Sequence, residues 1–446
     1  MINRLAAACS ALLLLEIVGS APTRGAGAEW PPRDGLRVLF LGDSITQNGL
    51  YVQFIDAYLT TRFPDRRVEV ISLGLSSETL SGTSEPGHPY PRPDVRTRLA
   101  RALELARPDL AFVCYGMNDG IYNPPAPARL KLYQEGAANV AFAILQTGAK
   151  VIFGTPPPFD PVPIRARTVA LAGPSFGYQH PYVDYDGVLG AYANFLLGKR
   201  DADSARLGQP KGGEGWQVAD IHGATLDALG SLRAADPRFT FADDGVHPGS
   251  SGHWLIARPY LEAWGATAEV DAAAIDAANR AVIRGAVELL PSPPEDPSLR
   301  FTWTTRIPFP HDPTWDARMV AFERIDDRFN RHRLLVVGLP APRYAIYEGD
   351  QPIAEVSRAQ LAEGLDLLRL PKLSTNRRGA EVWPLIGQKH AVLRPAWLEA
   401  VGHGPPNFPR AVPLDEAKAQ AAPIEAKIRD LVRPTPVTLR LVPIGG

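Results

Sequence analysis

Four short groups of residues, well separated along a chain of 446, carry side chains suited to one chemistry. Gly42-Asp43-Ser44-Ile45-Thr46 sets a serine directly after the apolar run Arg37-Val38-Leu39-Phe40-Leu41. A serine at a strand-to-helix turn has an exposed hydroxyl, and its backbone N–H is available to a developing oxyanion. Asp244-Gly245-Val246-His247-Pro248 sets a carboxylate three residues before an imidazole. At that spacing Asp244 can hold the His247 tautomer while His247 takes the serine proton. Gly74 closes a second apolar run, where bare backbone permits close approach to a ligand. Gly116-Met117-Asn118-Asp119 closes a third, and the Asn118 side chain can donate to the same oxyanion. The expected site therefore has Ser44 as nucleophile, His247 as base and Asp244 as its partner, with Ser44, Gly74 and Asn118 forming the oxyanion hole. Each group alone is a weak signal, since Gly-Asp-Ser and Asp-x-x-His arise by chance. Order and placement at strand ends make them a strong one.

These residues need a scaffold that brings strand ends together, and the pattern supplies one. Strands are expected at 37–41, 68–73, 110–115, 151–154 and about 217–220, with helices at 50–63, about 95–106, 130–148, 188–199 and 250–264. Alternating strands and helices argue for a parallel sheet covered on both faces. Ligands bind such sheets beyond the carboxyl ends of the strands. Past about residue 270 the pattern changes. Ala272 to Leu290 reads as an Ala-rich helix broken by Pro291-Ser292-Pro293-Pro294. Phe301 and Trp303 alternate with polar residues, Leu334 to Val337 is apolar, and Gly349-Asp350 is a two-residue hairpin signal. Ser357 with Gln360 forms a capping box, and later helices are expected near 377–398 and 414–431.

In order and residue type the four groups resemble the blocks of the SGNH (GDSL) hydrolases, which contribute Ser, Gly, Asn and His; here these are Ser44, Gly74, Asn118 and His247, with Asp244 completing the triad. The resemblance covers about residues 36–265. The stretches Leu73-Gly74-Leu75-Ser76-Ser77-Glu78-Thr79 and Tyr115 to Gly120 look like a bacterial exported subgroup with a C-terminal extension. Ile45 stands where the family pattern has Leu, and Leu73 where Asn often precedes the Gly. The resemblance implies a flavodoxin-like, three-layer α/β/α fold with a five-stranded parallel sheet, carrying a C-terminal α+β appendage. It further implies a serine esterase. The expected organisation is a signal peptide at 1–28, a catalytic domain at 35–265 and an extension of unknown role at 270–446.

Composition sets bounds around this reading. Hydrophobic residues make up 45% and charged residues 21%, a globular balance, and a net charge of −1 gives no reason to expect nucleic acid. Arg4, an apolar stretch centred on Ala11 to Leu15 and the cleavage site Ala26-Gly27-Ala28 read as a secretory leader that leaves Glu29 first. Export to the periplasm or medium is expected, with no stable membrane insertion after cleavage. Cys9 precedes most of the apolar stretch, which argues against lipidation. Cys114 then stands alone as a buried thiol. No cluster has metal-ligand spacing, and the triad needs neither metal nor cofactor. The oligomeric state is not legible. Asp43 reads as ordering its turn, Asp119 as stabilising a loop and His253 as facing solvent or capping a helix. His88 reads as a surface residue in a Pro-rich loop that could overhang the site. The segment Pro156 to Asp186, with Phe159, Phe176, Tyr178, His180, Tyr182 and Tyr185, has two equal readings: rings that meet a sugar, or rings that pack a long loop. The expected substrate is a small-molecule or glycan ester, most simply an acetylated carbohydrate. A lipase or phospholipase, a glycan-binding protein on the same fold and an acyl transferase are the rivals.

Overall fold

A computed structural model describes residues 29–173, 175–198, 216–293, 295–402 and 410–445. The expected leader at 1–28, with Cys9, lies outside the described residues. Apolar runs bounded by glycine form β1 (Leu36–Gly42), β2 (Val68–Gly74), β3 (Leu110–Cys114), β4 (Lys150–Gly154) and β5 (Trp216–Ala219). They make one parallel sheet in the order β2-β1-β3-β4-β5, with Gly42 in register with both Gly74 and Cys114. Strands β1 and β3 are almost wholly buried, as continuous apolar runs in a sheet covered on both faces must be. Helices Leu50–Arg62, Arg96–Ala106, Pro127–Gln146, Tyr185–Leu196, Ile221–Ala235 and Ser250–Trp264 cover it. The order reverses at β1, whose neighbours β2 and β3 leave it on opposite sides. The SGNH-type α/β/α architecture is therefore present, and its switch point lies beside Ser44.

The C-terminal part adds two sheets. One contains β6 (Glu269–Asp276), β7 (Ala281–Arg284), β10 (Arg331–Val337) and β13 (Leu365–Asp366), in the order β13-β10-β6-β7. The other contains β8 (Val287–Leu289), β9 (Leu299–Thr305), β11 (Arg343–Glu348), β12 (Gln351–Ser357) and β14 (Thr435–Pro443), in the order β12-β11-β14-β9-β8. The expected Ala-rich helix over 272–290 is thus replaced by three strands. Ala273, Ala274 and Ile275 are buried where β6 runs parallel to β10, and this pairing overrides the helix propensity of alanine. The hairpin at Gly349-Asp350 is present, with Glu348 opposite Gln351, and so is the capping box of Ser357 with Gln360. Helices Ser374–Ala400 and Leu414–Val432 lie between β13 and β14 in the chain.

One apolar core runs through the parallel sheet and its helices and continues into the later chain. Phe309, Trp315, Met319, Phe329, Val382, Ile386 and Trp397 are buried in it with Phe40, Phe54 and Trp254. A second core, around Phe301, Trp303, Leu334, Tyr344 and Leu439, lies between the added sheets. Among the described residues no helix is long and apolar enough to cross a membrane.

Candidate active site

Ser44 opens a five-residue helix, Ser44–Asn48, directly after β1, and the Asp43 side chain caps it by accepting from Ile45 N–H at 3.0 Å. Asp43 is 2% exposed. Burial pushes its carboxyl up to about 7, against the Ile45 hydrogen bond and the charge of His247, which lower it. Gly74 explains how so short a helix sits against the strand ends. A Cβ at Gly74 would lie 2.1 Å from Gln47 N and 2.3 Å from the Thr46 carbonyl carbon, so only glycine fits. The Gln47 side chain then accepts from Ser76 N–H at 2.6 Å, tying the loop after β2 to the same helix.

His247 sits in the turn before helix Ser250–Trp264, with its Nε2 2.8 Å from Ser44 Oγ and its Nδ1 2.7 Å from Asp244 Oδ2. The two carboxylate oxygens of Asp244 divide their work. Oδ1 accepts from the N–H groups of Val246 and His247 at 2.9 and 2.7 Å, and Oδ2 accepts from His247 and from the Tyr178 hydroxyl at 3.1 Å. Burial raises the Asp244 pKa, but these hydrogen bonds outweigh it and hold the carboxyl well below its usual range. For His247 burial favours the neutral ring, while the hydrogen bond and charge of Asp244 prevail and raise its pKa. With Asp244 fixing the proton on Nδ1, Nε2 is free to accept from Ser44.

Asn118 follows β3 and is 4% exposed. Its Oδ1 accepts from Arg92 Nη1 at 2.9 Å and from the Tyr122 hydroxyl at 3.1 Å, and its Nδ2 donates to the Glu78 carbonyl at 3.2 Å. A guanidinium can only donate, so the atom facing Arg92 must be the oxygen. One N–H of Nδ2 therefore remains for an acceptor in the cavity. Arg92 is itself held by both oxygens of Glu85 at 2.6 Å, with the two side chains 2% and 5% exposed. Beneath Asn118, Glu78 is fully buried against Arg98 and the Tyr115 hydroxyl.

Ser44, Asn118 and His247 face one cavity of about 550 Å³, whose wall includes Ser77, His88, Arg92, Phe176, Tyr178 and His180. Asp244 stands behind His247, and Gly74, expected in the oxyanion hole, lies instead under helix Ser44–Asn48 and not on the cavity wall. Sequence reasoning missed Arg92, Tyr122 and Glu78. None has a spacing that marks it: Glu78 and Arg92 come from the loop between β2 and helix Arg96–Ala106, and Tyr122 from the loop that carries Asn118 itself. The aromatic segment divides between its two readings: Phe176, Tyr178 and His180 face the cavity, whereas Phe159 and Tyr185 are buried and pack together with centroids 5.6 Å apart. His88 is part of the cavity wall. His253 does not face solvent: it is fully buried, its Nδ1 accepts from Tyr51 N–H at 3.4 Å, and burial pushes its pKa down to about 3. Asp119 does hold its loop, accepting from Ser81 N–H at 2.8 Å. Cys114 is buried, which pushes its thiol far above the ordinary range.

Residues 40–255 match the model of the GDSL-like Lipase/Acylhydrolase family. No curated protein matches the sequence. Among solved structures, a gut microbial diltiazem-metabolizing enzyme is similar at 19% identity and a TM-score of 0.71, covering 94% of this chain and 100% of its own. The shared fold thus includes the C-terminal part. A catalytic mutant of an acetylxylan esterase from Geobacillus stearothermophilus is similar at 20% identity and a TM-score of 0.36, covering 52% of this chain and 96% of its own.

Proposed function

Residues 40–255 make this chain an ester-hydrolysing enzyme of the GDSL-like lipase/acylhydrolase family, and from that premise we propose a serine esterase that removes short acyl groups, acetyl first among them, from carbohydrate esters. The observation that carries the catalytic part is the relay of Ser44 Oγ, His247 and Asp244, joined at 2.8 and 2.7 Å and opening on the cavity. His247 Nε2 takes the Ser44 proton as Oγ bonds to the acyl carbon. The Ser44 N–H and the Asn118 Nδ2 stabilise the oxyanion, while Gly74, which lies off the cavity wall, seats the Ser44 helix instead. His247 then protonates the alcohol oxygen as its bond to the acyl carbon breaks. Water, deprotonated by His247, releases the acid and restores Ser44.

The cavity wall supports the choice of substrate. Among the described residues it contains no leucine, isoleucine, valine or methionine, while hydroxyls, imidazoles and the rings of Tyr90, Tyr122, Phe176 and Tyr178 are present. A long acyl chain needs an aliphatic slot to leave water, whereas sugar faces and hydroxyls suit rings with polar tips. A p-nitrophenyl ester series from acetyl to palmitoyl tests this with wild type and Ser44→Ala. The expected rate depends on Ser44 by about a thousandfold or more and falls with chain length. A rate that rises with chain length replaces this reading with a lipase, and wild-type activity no higher than that of folded Ser44→Ala sinks the esterase in favour of a binding protein or a transferase. Export to the periplasm or medium belongs to the same proposal, on the strength of Arg4, the apolar stretch and Ala26-Gly27-Ala28. Sequencing the mature N-terminus should return Glu29; a retained Met1 in the cytoplasmic fraction overturns it.

A further inference from the structure

Helix Ser374–Ala400 reaches back to the nucleophile. Arg394 donates through Nη1 to the carbonyl oxygens of Gln47 and of Asn48, the latter at 2.6 Å. These are the last two residues of the helix that Ser44 begins. Carbonyls at a helix end lack partners within the helix, and a cation there is favourable. The chain leaves that helix through Gly49, at φ +81, where a Cβ would lie 3.2 Å from Arg394 Nη1. Burial pulls the Arg394 pKa down. Among the described residues its hydrogen bonds go to backbone carbonyls rather than carboxylates.

Two further ties hold the long helix in place. Lys389 Nζ and His390 Nε2 both meet Asp56 Oδ2, at 2.6 and 2.7 Å, where Asp56 is 1% exposed. Trp383 stacks on Phe54 with centroids 4.8 Å apart. Asp56 and Phe54 belong to helix Leu50–Arg62, which begins straight after Gly49. The turn that carries Ser44 is thus held at its start by Asp43, against the strand ends by Gly74 and at its end by Arg394.

We propose that helix Ser374–Ala400 is a positioning element of the active site and that Arg394 is its positioning residue, seating the Ser44–Gly49 turn so that Ser44 Oγ stays in line with His247. This rests on Ser44 being the nucleophile. Gln47 is one helical turn from Ser44, so freeing its carbonyl loosens the hydroxyl from its 2.8 Å contact with His247. The cavity wall contains no residue of the long helix. The loss therefore falls on the rate of attack and not on substrate binding.

The experiment uses the full chain, with wild type, Arg394→Ala, Arg394→Gln, Arg394→Lys and Arg378→Ala compared below their melting temperatures. Arg378 is on the same helix but bonds to the Leu431 and Arg433 carbonyls, away from the site. The readouts are the rate at which diisopropyl fluorophosphate labels Ser44, and kcat and KM for p-nitrophenyl acetate. Arg394→Ala is expected to label at least about tenfold more slowly, to lose kcat in proportion and to keep KM within about twofold. Arg394→Lys should recover part of the rate, and Arg378→Ala should label like wild type. If Arg394→Ala does not fold, the same slowing is expected of Arg394→Gln. Labelling of the folded Arg394 variants at the wild-type rate, or equal slowing in Arg378→Ala, overturns the proposal. A wild type that is not labelled at all removes Ser44 as nucleophile, and this inference with it.

Discussion

At the scale of single residues, the site is governed by one imbalance of charge. Burial alone would keep His247 neutral to lower pH, and Asp244 reverses this. In the proposed role of base His247 works only as the neutral imidazole, so activity is expected to disappear as pH falls through its raised pKa. The expected pH profile of kcat/KM for p-nitrophenyl acetate, taken over roughly pH 5 to 9, has its rising limb above the ordinary histidine value of 6.5. In Asp244→Asn the limb should move down and the maximum rate fall by about four orders of magnitude. A wild-type limb below the ordinary value contradicts the charge balance described for the relay. The donors around Asn118 follow a similar logic. Arg92 and Tyr122 occupy the amide oxygen, so the nitrogen keeps its orientation before any substrate arrives. This orientation depends on the Glu85–Arg92 pair, in which removing either partner would leave a buried charge at a cost of about 3–5 kcal/mol.

At the scale of elements, what could be read in advance follows from which forces are local. The strands β1 to β4 and helix Ser250–Trp264 were legible because apolar runs, glycine stops and period-3.6 patterns are written in consecutive residues. For the same reason Ser44, Asp244, His247 and Asn118 could be picked out, each being marked by its immediate neighbours. Strands β6 to β8 were not legible, because Ala272 to Ala274 gain their strand geometry from β10, about sixty residues later in the chain. Helix Ser374–Ala400 was expected over most of its length, although Pro384 and Pro395 lie inside it. Each proline removes one N–H from the hydrogen-bond ladder of the helix. Nothing near Arg394, Arg92 or Glu78 in the sequence announces their targets. A long side chain that ends on a distant carbonyl or amide leaves no periodic trace.

At the scale of the whole molecule, the parallel sheet does not own its core. Phe309, Trp315 and Phe329 are buried against rings that belong to the sheet's own helices, with Phe54 4.9 Å from Trp315, Trp254 5.6 Å from Phe309 and Trp254 5.4 Å from Phe329. Burying each such ring is worth about 1.5–3 kcal/mol, and a domain keeps a net stability of only about 5–15 kcal/mol. A chain ended at residue 270 is therefore expected to lack a cooperative thermal transition and to have no Ser44-dependent esterase activity. Recovery of a soluble, sharply melting, active fragment would show that the sheet stands alone. Ser44 is made early, whereas Arg394, which closes its turn, is separated from Asn48 by 346 positions. During synthesis the serine, and later the histidine, leave the ribosome long before that closure can form. Full hydrolytic rate is then expected only of a finished chain: one that stops before Arg394 already holds Ser44, Asp244 and His247 but lacks the brace proposed for the Ser44 turn, and is expected to work at least about tenfold more slowly.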